Sequence, residues 1–130
     1  MPRALADTSA FIAVEQGRIA ELPDDLELGL SIMTIGELHH GVYAAVARGD
    51  IAAVAQRTAT LATAQLLQPI PVDGRIAARW GQLRAELTAA GHKMTVIDSW
   101  IAATALAEGL PVVTQDAGFN DVPGLTVIQV

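Results

Sequence analysis

Cysteine is absent from the chain, so neither a disulfide framework nor a thiolate metal site is available to it. That absence fits a reducing cytosol. Aromatic residues are scarce, at 4% against 52% hydrophobic residues overall. The core must therefore be built from Ala, Val, Ile and Leu, as where helices pack on a parallel sheet. No apolar run approaches the roughly 20 residues that a membrane helix needs. The N-terminus reaches Asp7 before a signal-peptide apolar region develops. A cytoplasmic protein with no membrane contact is expected. Positive charge is also short: eight Lys and Arg face fourteen Asp and Glu, for a formal charge of −6. Such a chain does not steer itself toward nucleic acid, and a polyphosphate substrate would need a bound divalent cation to reverse the local sign. No Gly-rich Walker loop is present, which argues against an NTPase. Asp7-Thr8-Ser9 lacks the second Asp that an Asp-x-Asp phosphatase pair would need.

At 130 residues the chain is one ordinary domain, residues 1–130, able to bury roughly two-thirds of its unfolded surface without a staple. Arg3-Ala-Leu-Ala-Asp7 reads as a short buried strand ending in an acid, after which Thr8-Ser9 open a helix through Phe11, Ile12 and Val14. Residues 15–28 are polar and read as a helix end and loop. Leu28–Ile32 is the next expected strand. Thr34 is expected to cap a helix carrying Ile35, Leu38, Val42 and Ala45 on one face, with Glu37 in its first turn. Gly49-Asp50 separates it from a helix over residues 51–67. Pro69–Val72 is expected as a short strand, and Asp73 caps a helix whose Ile76, Trp80, Leu83 and Leu87 recur at 3.6-residue spacing up to Gly91. A last helix carries Asp98 as its cap or first-turn residue, with Ile97, Ile101, Ala102 and Ala105 on buried faces and Gly109 as the stop signal. Pro111–Thr114 and Leu125–Val130 are strands flanking an irregular stretch. The order β-α-β-α-α-β-α-α-β-β predicts a three-layer α/β/α domain with a mostly parallel central sheet and helices on both faces.

In that arrangement Asp7 and Asp116 follow strands while Glu37 and Asp98 open helices, so all four can meet at the carboxyl edge of the sheet, where open α/β folds bind ligands. Three of them have a bland alternative: a turn residue for Asp7, a capping box with Thr34 for Glu37, a cap for Asp98. Converging carboxylates resist joint ionisation, since two charges about 4 Å apart repel by roughly 4 kcal/mol at an effective dielectric near 20. Some protonate, or a hard cation binds. Oxygen-only ligands favour Mg²⁺ or Mn²⁺ over Zn²⁺. His39 and His40 are adjacent, not four apart, and read as surface or rim residues. Arg75 and Arg79 lie one turn apart, where a solvated face and a phosphate contact compete as readings, and His92 and Lys93 in the loop before Asp98 are placed to approach a phosphate backbone.

Taken in order, Ala6-Asp7-Thr8-Ser9-Ala10-Phe11-Ile12, Thr34-Ile-Gly-Glu37-Leu38 with Gly41-Val42, Lys93-Met94, Val96-Ile97-Asp98-Ser99, Ile101-Ala-Ala-Thr-Ala105, Val113-Thr114-Gln115-Asp116 with Phe119, and Pro123-Gly124-Leu125 form a pattern covering nearly the whole chain. It resembles the PIN-domain family, and within it the VapC-type toxins of toxin–antitoxin pairs. The resemblance implies a Mg²⁺- or Mn²⁺-dependent endoribonuclease whose acidic quartet, matched here by Asp7, Glu37, Asp98 and Asp116, holds the metal and aids phosphodiester hydrolysis. Thr8, Ser9 and Thr114 match hydroxyl positions that orient carboxylates. The resemblance also implies a VapB-type antitoxin partner, a homodimer, and operator DNA reached only through the antitoxin complex. Three departures stand out: Gly118 where family members often carry another acid, with Asp121 further on; Trp100 in place of a smaller aliphatic, read as packing or a dimer contact; and Thr95 where Pro is common. The competing reading is a PIN-like module that acts through antitoxin binding without catalysis. Gly118 supports it; intact Asp7, Glu37 and Asp98 oppose it.

Overall fold

A computed structural model describes residues 3–130. Its strands are β1 (Ala4–Ala6), β2 (Leu28–Gly29), β3 (Val112–Thr114) and β4 (Val127–Gln129). They form one parallel sheet in the order β2-β1-β3-β4. The helices are α1 (Thr8–Glu15), α2 (Ile32–Arg48), α3 (Ile51–Gln65), α4 (Gly74–Ala90) and α5 (Val96–Glu108). A 3-10 turn, Ala117–Phe119, follows β3. No described helix is long and apolar enough to cross a membrane.

The three-layer expectation holds. Strand side chains alternate between faces, and the split is visible in β1 and β3. Leu5 and Val112 join Leu83, Leu87, Ile101, Ala102 and Phe119 in a core against α4 and α5. Ala6 joins Phe11, Leu30, Ile35, Leu38 and Leu61 against α1, α2 and α3. Ala4 and Val113 pack with Ala10 on that same side. The small residues of α5 let it sit close, and Ile101, Ala102, Ala103 and Ala105 are all fully buried. The Trp80 and Trp100 rings stack with centroids 4.3 Å apart, and Trp80 Nε1 donates to Ser99 Oγ at 2.9 Å.

Two expected boundaries move. Ser31, not Thr34, caps α2, its hydroxyl accepting from Met33 N at 3.0 Å. The helix therefore begins three residues early and cuts the second strand to Leu28–Gly29. Ser and Thr are both good caps, so local preference could not choose between them. The strand expected over Pro69–Val72 shrinks to one parallel bridge, Ser31 with Ile70. Pro69 and Pro71 have no N–H to donate. Only Ile70 pairs fully, donating to Leu30 O at 2.8 Å and accepting from Ile32 N at 3.0 Å.

Ile101→Ala should cost about 2–5 kcal/mol, because Ile101 is fully buried in the cluster that includes Leu83, Leu87, Val112 and Phe119, and its removal leaves a cavity there. The midpoint of urea unfolding would report it; a shift worth under about 1 kcal/mol would mean that α5 is less tightly held than its burial indicates.

Candidate active site

Asp7 sits at the turn from β1 into α1 and is 2% exposed. Its Oδ1 accepts from Ala10 N at 3.0 Å, and Ser9 Oγ donates to the carboxylate at 2.8 Å. Its Oδ2 accepts from Thr114 Oγ1, at the end of β3, at 2.6 Å. Each hydroxyl has one proton, and both protons go to Asp7. The oxygens then accept in turn: Thr114 Oγ1 from Asp116 N at 2.8 Å, Ser9 Oγ from Gln115 N at 3.0 Å. The 3.1 Å approach of Ser9 Oγ to Thr114 Oγ1 follows from both aiming at one carboxylate. Burial pushes the Asp7 carboxyl above the usual range. Hydrogen bonds from Thr114, Ser9 and Ala10 oppose the shift, and repulsion from Asp98 adds to it.

With α2 starting at Ile32, Glu37 lies in the second turn, not the first. It makes no capping box with Thr34. Instead Thr8 Oγ1 donates to Glu37 Oε1 at 2.5 Å, tying α1 to α2 beside the site. Burial raises the Glu37 carboxyl; Thr8 lowers it, Asp98 raises it and His40 lowers it. One turn on, Gly41 leaves room for Arg57 of α3 to lie across α2, since a Cβ there would stand 3.3 Å from Nη1.

Asp98 is a first-turn residue of α5, where the free N–H groups favour an anion. Thr95 is the cap, its hydroxyl accepting from Asp98 N at 3.2 Å. Its contribution was missed from sequence, although Thr-x-x-Asp before an apolar helix is a capping signal. Burial raises the Asp98 carboxyl, the Thr95 side chain lowers it, and Asp116 raises it again. Asp116 caps the 3-10 turn, and its Oδ1 accepts from Gly118 N at 2.8 Å. A Cβ at Gly118 would stand 3.0 Å from that oxygen, so a side chain at 118 would press the Asp116 carboxylate aside by a few tenths of an ångström. Asp121 lies on the exposed turn beyond.

The structure thus brings the quartet to one edge of the sheet, with Asp98 as the hub. It feels or exerts repulsion with each of the other three: Asp7, Glu37 and Asp116. Among the described residues no three acidic or histidine side chains are drawn close enough to cage an ion unaided. Carboxylates that repel Asp98 do not close on it without a counter-charge. The donor set is all oxygen, which suits a hard divalent cation. Thr8, Ser9 and Thr114 each bond a quartet carboxylate, as above. Arg75 stands at the far end of α5, donating to Ala107 O at 2.5 Å and pairing with Glu108. That is about 15 Å along the axis from Asp98 at 1.5 Å per residue. Arg79 faces Glu86 at 3.8 Å. Lys93 is exposed in the loop before α5.

The PIN domain model matches residues 4–125. The chain belongs to the PIN-domain family. Among curated relatives, this PIN chain is 40% identical over 131 residues to Ribonuclease VapC4 of Mycobacterium tuberculosis, covering 98% of this chain and 97% of the relative. It is 39% identical to Ribonuclease VapC5 of the same organism, covering 95% and 90%. Among solved structures, VapBC-5 from Mycobacterium tuberculosis, a member of the VapBC family of toxin–antitoxin systems, superposes with a TM-score of 0.80 at 35% identity over 98% of this chain and 96% of that one. VapBC2 from Rickettsia felis, bound to promoter DNA, shares the fold at a TM-score of 0.79 and 21% identity, covering 97% of each chain.

Three of the PIN carboxyls have raised values in the folded chain. A carboxyl raised on folding binds its proton more tightly when folded, so in the ionised form it weakens the fold. That cost is full at pH above the folded value and vanishes below the ordinary carboxyl range near 4. Asp98→Asn should therefore unfold at a higher temperature than the parent at pH 7 in EDTA, by a few degrees, with the gap narrowing as the pH falls toward about 4. Thermal melts across that range test it. A less stable Asp98→Asn at pH 7 would show that the repulsion is already compensated within the chain.

Proposed function

We propose that the chain is the toxin of a VapBC-type pair: a divalent-metal-dependent endoribonuclease that hydrolyses RNA phosphodiesters at Asp7, Glu37, Asp98 and Asp116. The observation that carries this reading is the hydroxyl network at the carboxyl edge of the parallel sheet, where Ser9 and Thr114 hold Asp7, Thr114 Oγ1 also accepts from Asp116 N, Thr8 holds Glu37, and Asp98 stands in the first turn of α5. The ribonuclease relatives at 40% and 39% identity over nearly the full length support the reaction class. The paired toxin–antitoxin neighbour supports a VapB-type antitoxin as partner.

Asp7, Asp98 and Asp116 would hold the metal, Mg²⁺ or Mn²⁺, with Glu37 as a further ligand or as the group that positions water. A bound ion of this kind supplies positive charge to phosphate oxygens and lowers the pKa of water. The chain's own residues do the rest. Ser9, Thr114 and Ala10 N hold Asp7 in one orientation, so no side-chain freedom is lost when substrate arrives. Thr8 fixes Glu37 through Oε1, leaving Oε2 to take a proton from the attacking water. Its raised carboxyl suits that work better than an ordinary Glu does. As water oxygen bonds to phosphorus, the bond from phosphorus to the leaving oxygen breaks, and that oxygen takes a proton from solvent while the proton on Glu37 returns to solvent.

The acidic edge also suits inhibition by a basic antitoxin segment. An Arg placed among the carboxylates would make charge-assisted bonds where the cation otherwise sits. Removing the antitoxin's basic tail should then release cleavage while the rest of the pair stays assembled; retained inhibition by the truncated antitoxin would rule out this mode of silencing. A homodimer, a cytoplasmic location, and operator DNA met only through the antitoxin complete the proposal.

Cleavage of end-labelled structured RNA by the antitoxin-free chain tests the enzyme. Discrete cuts are expected with Mg²⁺ or Mn²⁺ and none in EDTA, and Asp98→Asn should be slower by at least about 10²-fold. A folded, metal-binding protein that cuts no RNA pool would shift the weight to a PIN module acting through antitoxin binding, the reading that Gly118 favours, or to a very narrow RNA target.

A further inference from the structure

This chain is poor in cations, yet some of them gather beside the acidic edge. Arg84 of α4 and His92 and Lys93 of the following loop line a surface cavity of about 340 Å³ together with Leu87, Thr88, Gly91 and Met94, with no carboxylate among its lining residues. Lys93 is the only lysine in the chain. Arg75 and Arg79 are each paired with a glutamate, and Arg18 is held by glutamine side chains. Arg84 and Lys93 make no ion pair among the described residues. Arg84 donates only a long bond, 3.3 Å, to Met94 O.

The cavity adjoins the site. His92 Nε2 lies 3.1 Å from Gly118 O, and because a carbonyl only accepts, Nε2 is the protonated nitrogen. Gly118 N in turn donates to Asp116 Oδ1 at 2.8 Å. The loop that carries Lys93 also runs directly into the Thr95 cap and Asp98. The five Cα–Cα steps from Lys93 to Asp98 span at most roughly 18 Å. An RNA strand entering the carboxylate edge from this side passes over the cavity.

We propose that Arg84 and Lys93, with the loop pinned by His92, form a backbone-phosphate subsite for the nucleotides flanking the scissile bond. The inference rests on the ribonuclease reading above. The C-terminal end of α4 brings about half an elementary negative charge to the cavity rim, which the two side-chain cations outweigh. The division of labour is physical. The carboxylate edge cannot attract a polyanion by itself, whereas two unpaired cations at its flank contact phosphate without reading base identity. Arg84 presents a planar fork to a phosphate, and Lys93 a point charge.

Fluorescence anisotropy with a random-sequence single-stranded oligoribonucleotide, across a salt series in Ca²⁺, measures binding independently of cleavage, and steady-state cleavage in Mg²⁺ or Mn²⁺ measures KM and kcat. Arg84→Gln and Lys93→Gln should each weaken RNA binding and raise KM several-fold with kcat little changed. The slope of log K against log salt should flatten by about 0.7 for each cation removed and about 1.4 for the pair. Arg84→Lys should restore most of the slope. Arg48→Gln, the same charge change at the exposed end of α2, should leave binding as it was and shows that net charge is not the cause. Unchanged slope and KM in variants that still cleave RNA would overturn the subsite and leave the nuclease standing. RNA bound through these residues but never cut would do the reverse. A parent chain that binds no RNA would overturn both, and variants that bind RNA normally but lose the antitoxin would make the cavity a protein contact and overturn the subsite.

Discussion

Holding an ionisable carboxyl in the interior at Asp7 is the constraint on which the arrangement depends. Burying a charge costs several kcal/mol even after relaxation, and Asp7 is almost wholly buried. The fold offsets this with donors from three places: the backbone of α1, the Ser9 hydroxyl, and the Thr114 hydroxyl at the end of β3. Satisfying that one side chain requires β1 and β3 to be neighbours and in register, as they are, with Leu5 opposite Val112 and Ala6 opposite Val113. It also requires α1 to start at Thr8. The polar centre and the topology of the sheet are therefore one problem with one solution.

The same logic extends outward through hydroxyls. Thr8 carries the network from α1 to Glu37 on α2, and Thr95 places Asp98 at the start of α5. The Asp7, Glu37 and Asp116 carboxylates each accept from a neighbouring donor, Asp98 is placed by the Thr95 cap, and none of the four is neutralised by a Lys or Arg ion pair among the described residues. Repulsion centred on Asp98 is left over. A chain with six more negative than positive charges concentrates its frustration at one edge, and there a divalent cation is worth most. Natural sequences violate local consistency where they work, and this edge is where the violation lies.

Much of this was legible beforehand, for reasons that differ by residue. Asp7 and Asp116 were readable because an acid just past a short apolar run marks a strand's carboxyl end. Asp98 was readable because Ile97, Ile101, Ala102 and Ala105 set the helical phase behind it. The cap of α2 was not, since Ser31 and Thr34 are chemically equivalent candidates and only packing chose the earlier one. That shift moved Glu37 by most of a turn and changed its partner from Thr34 to Thr8. The strand over Pro69–Val72 failed because two prolines removed the donors that a ladder needs, which the composition already contained but the apolar pattern outweighed. Thr95 was noticed only as a replacement for Pro, although its hydroxyl is what holds the start of α5.

The sequence by itself determined most of the elements and the chemistry available: a cysteine-free aliphatic core, strands and helices in sequence, acids at or near element ends, and an oxygen-only donor set. These are local properties, set by spacing of three or four residues along a helix or two along a strand. Only the tertiary structure decided which acids share a field, which hydroxyl serves which carboxylate, and which cations remain unpaired beside them. Thr114 reaches Asp7 across 107 residues of chain, Thr8 reaches Glu37 across 29, and His92 reaches Gly118 across 26. No periodicity encodes such distances; they exist because a parallel sheet with helices on both faces brings the ends of its elements to one edge.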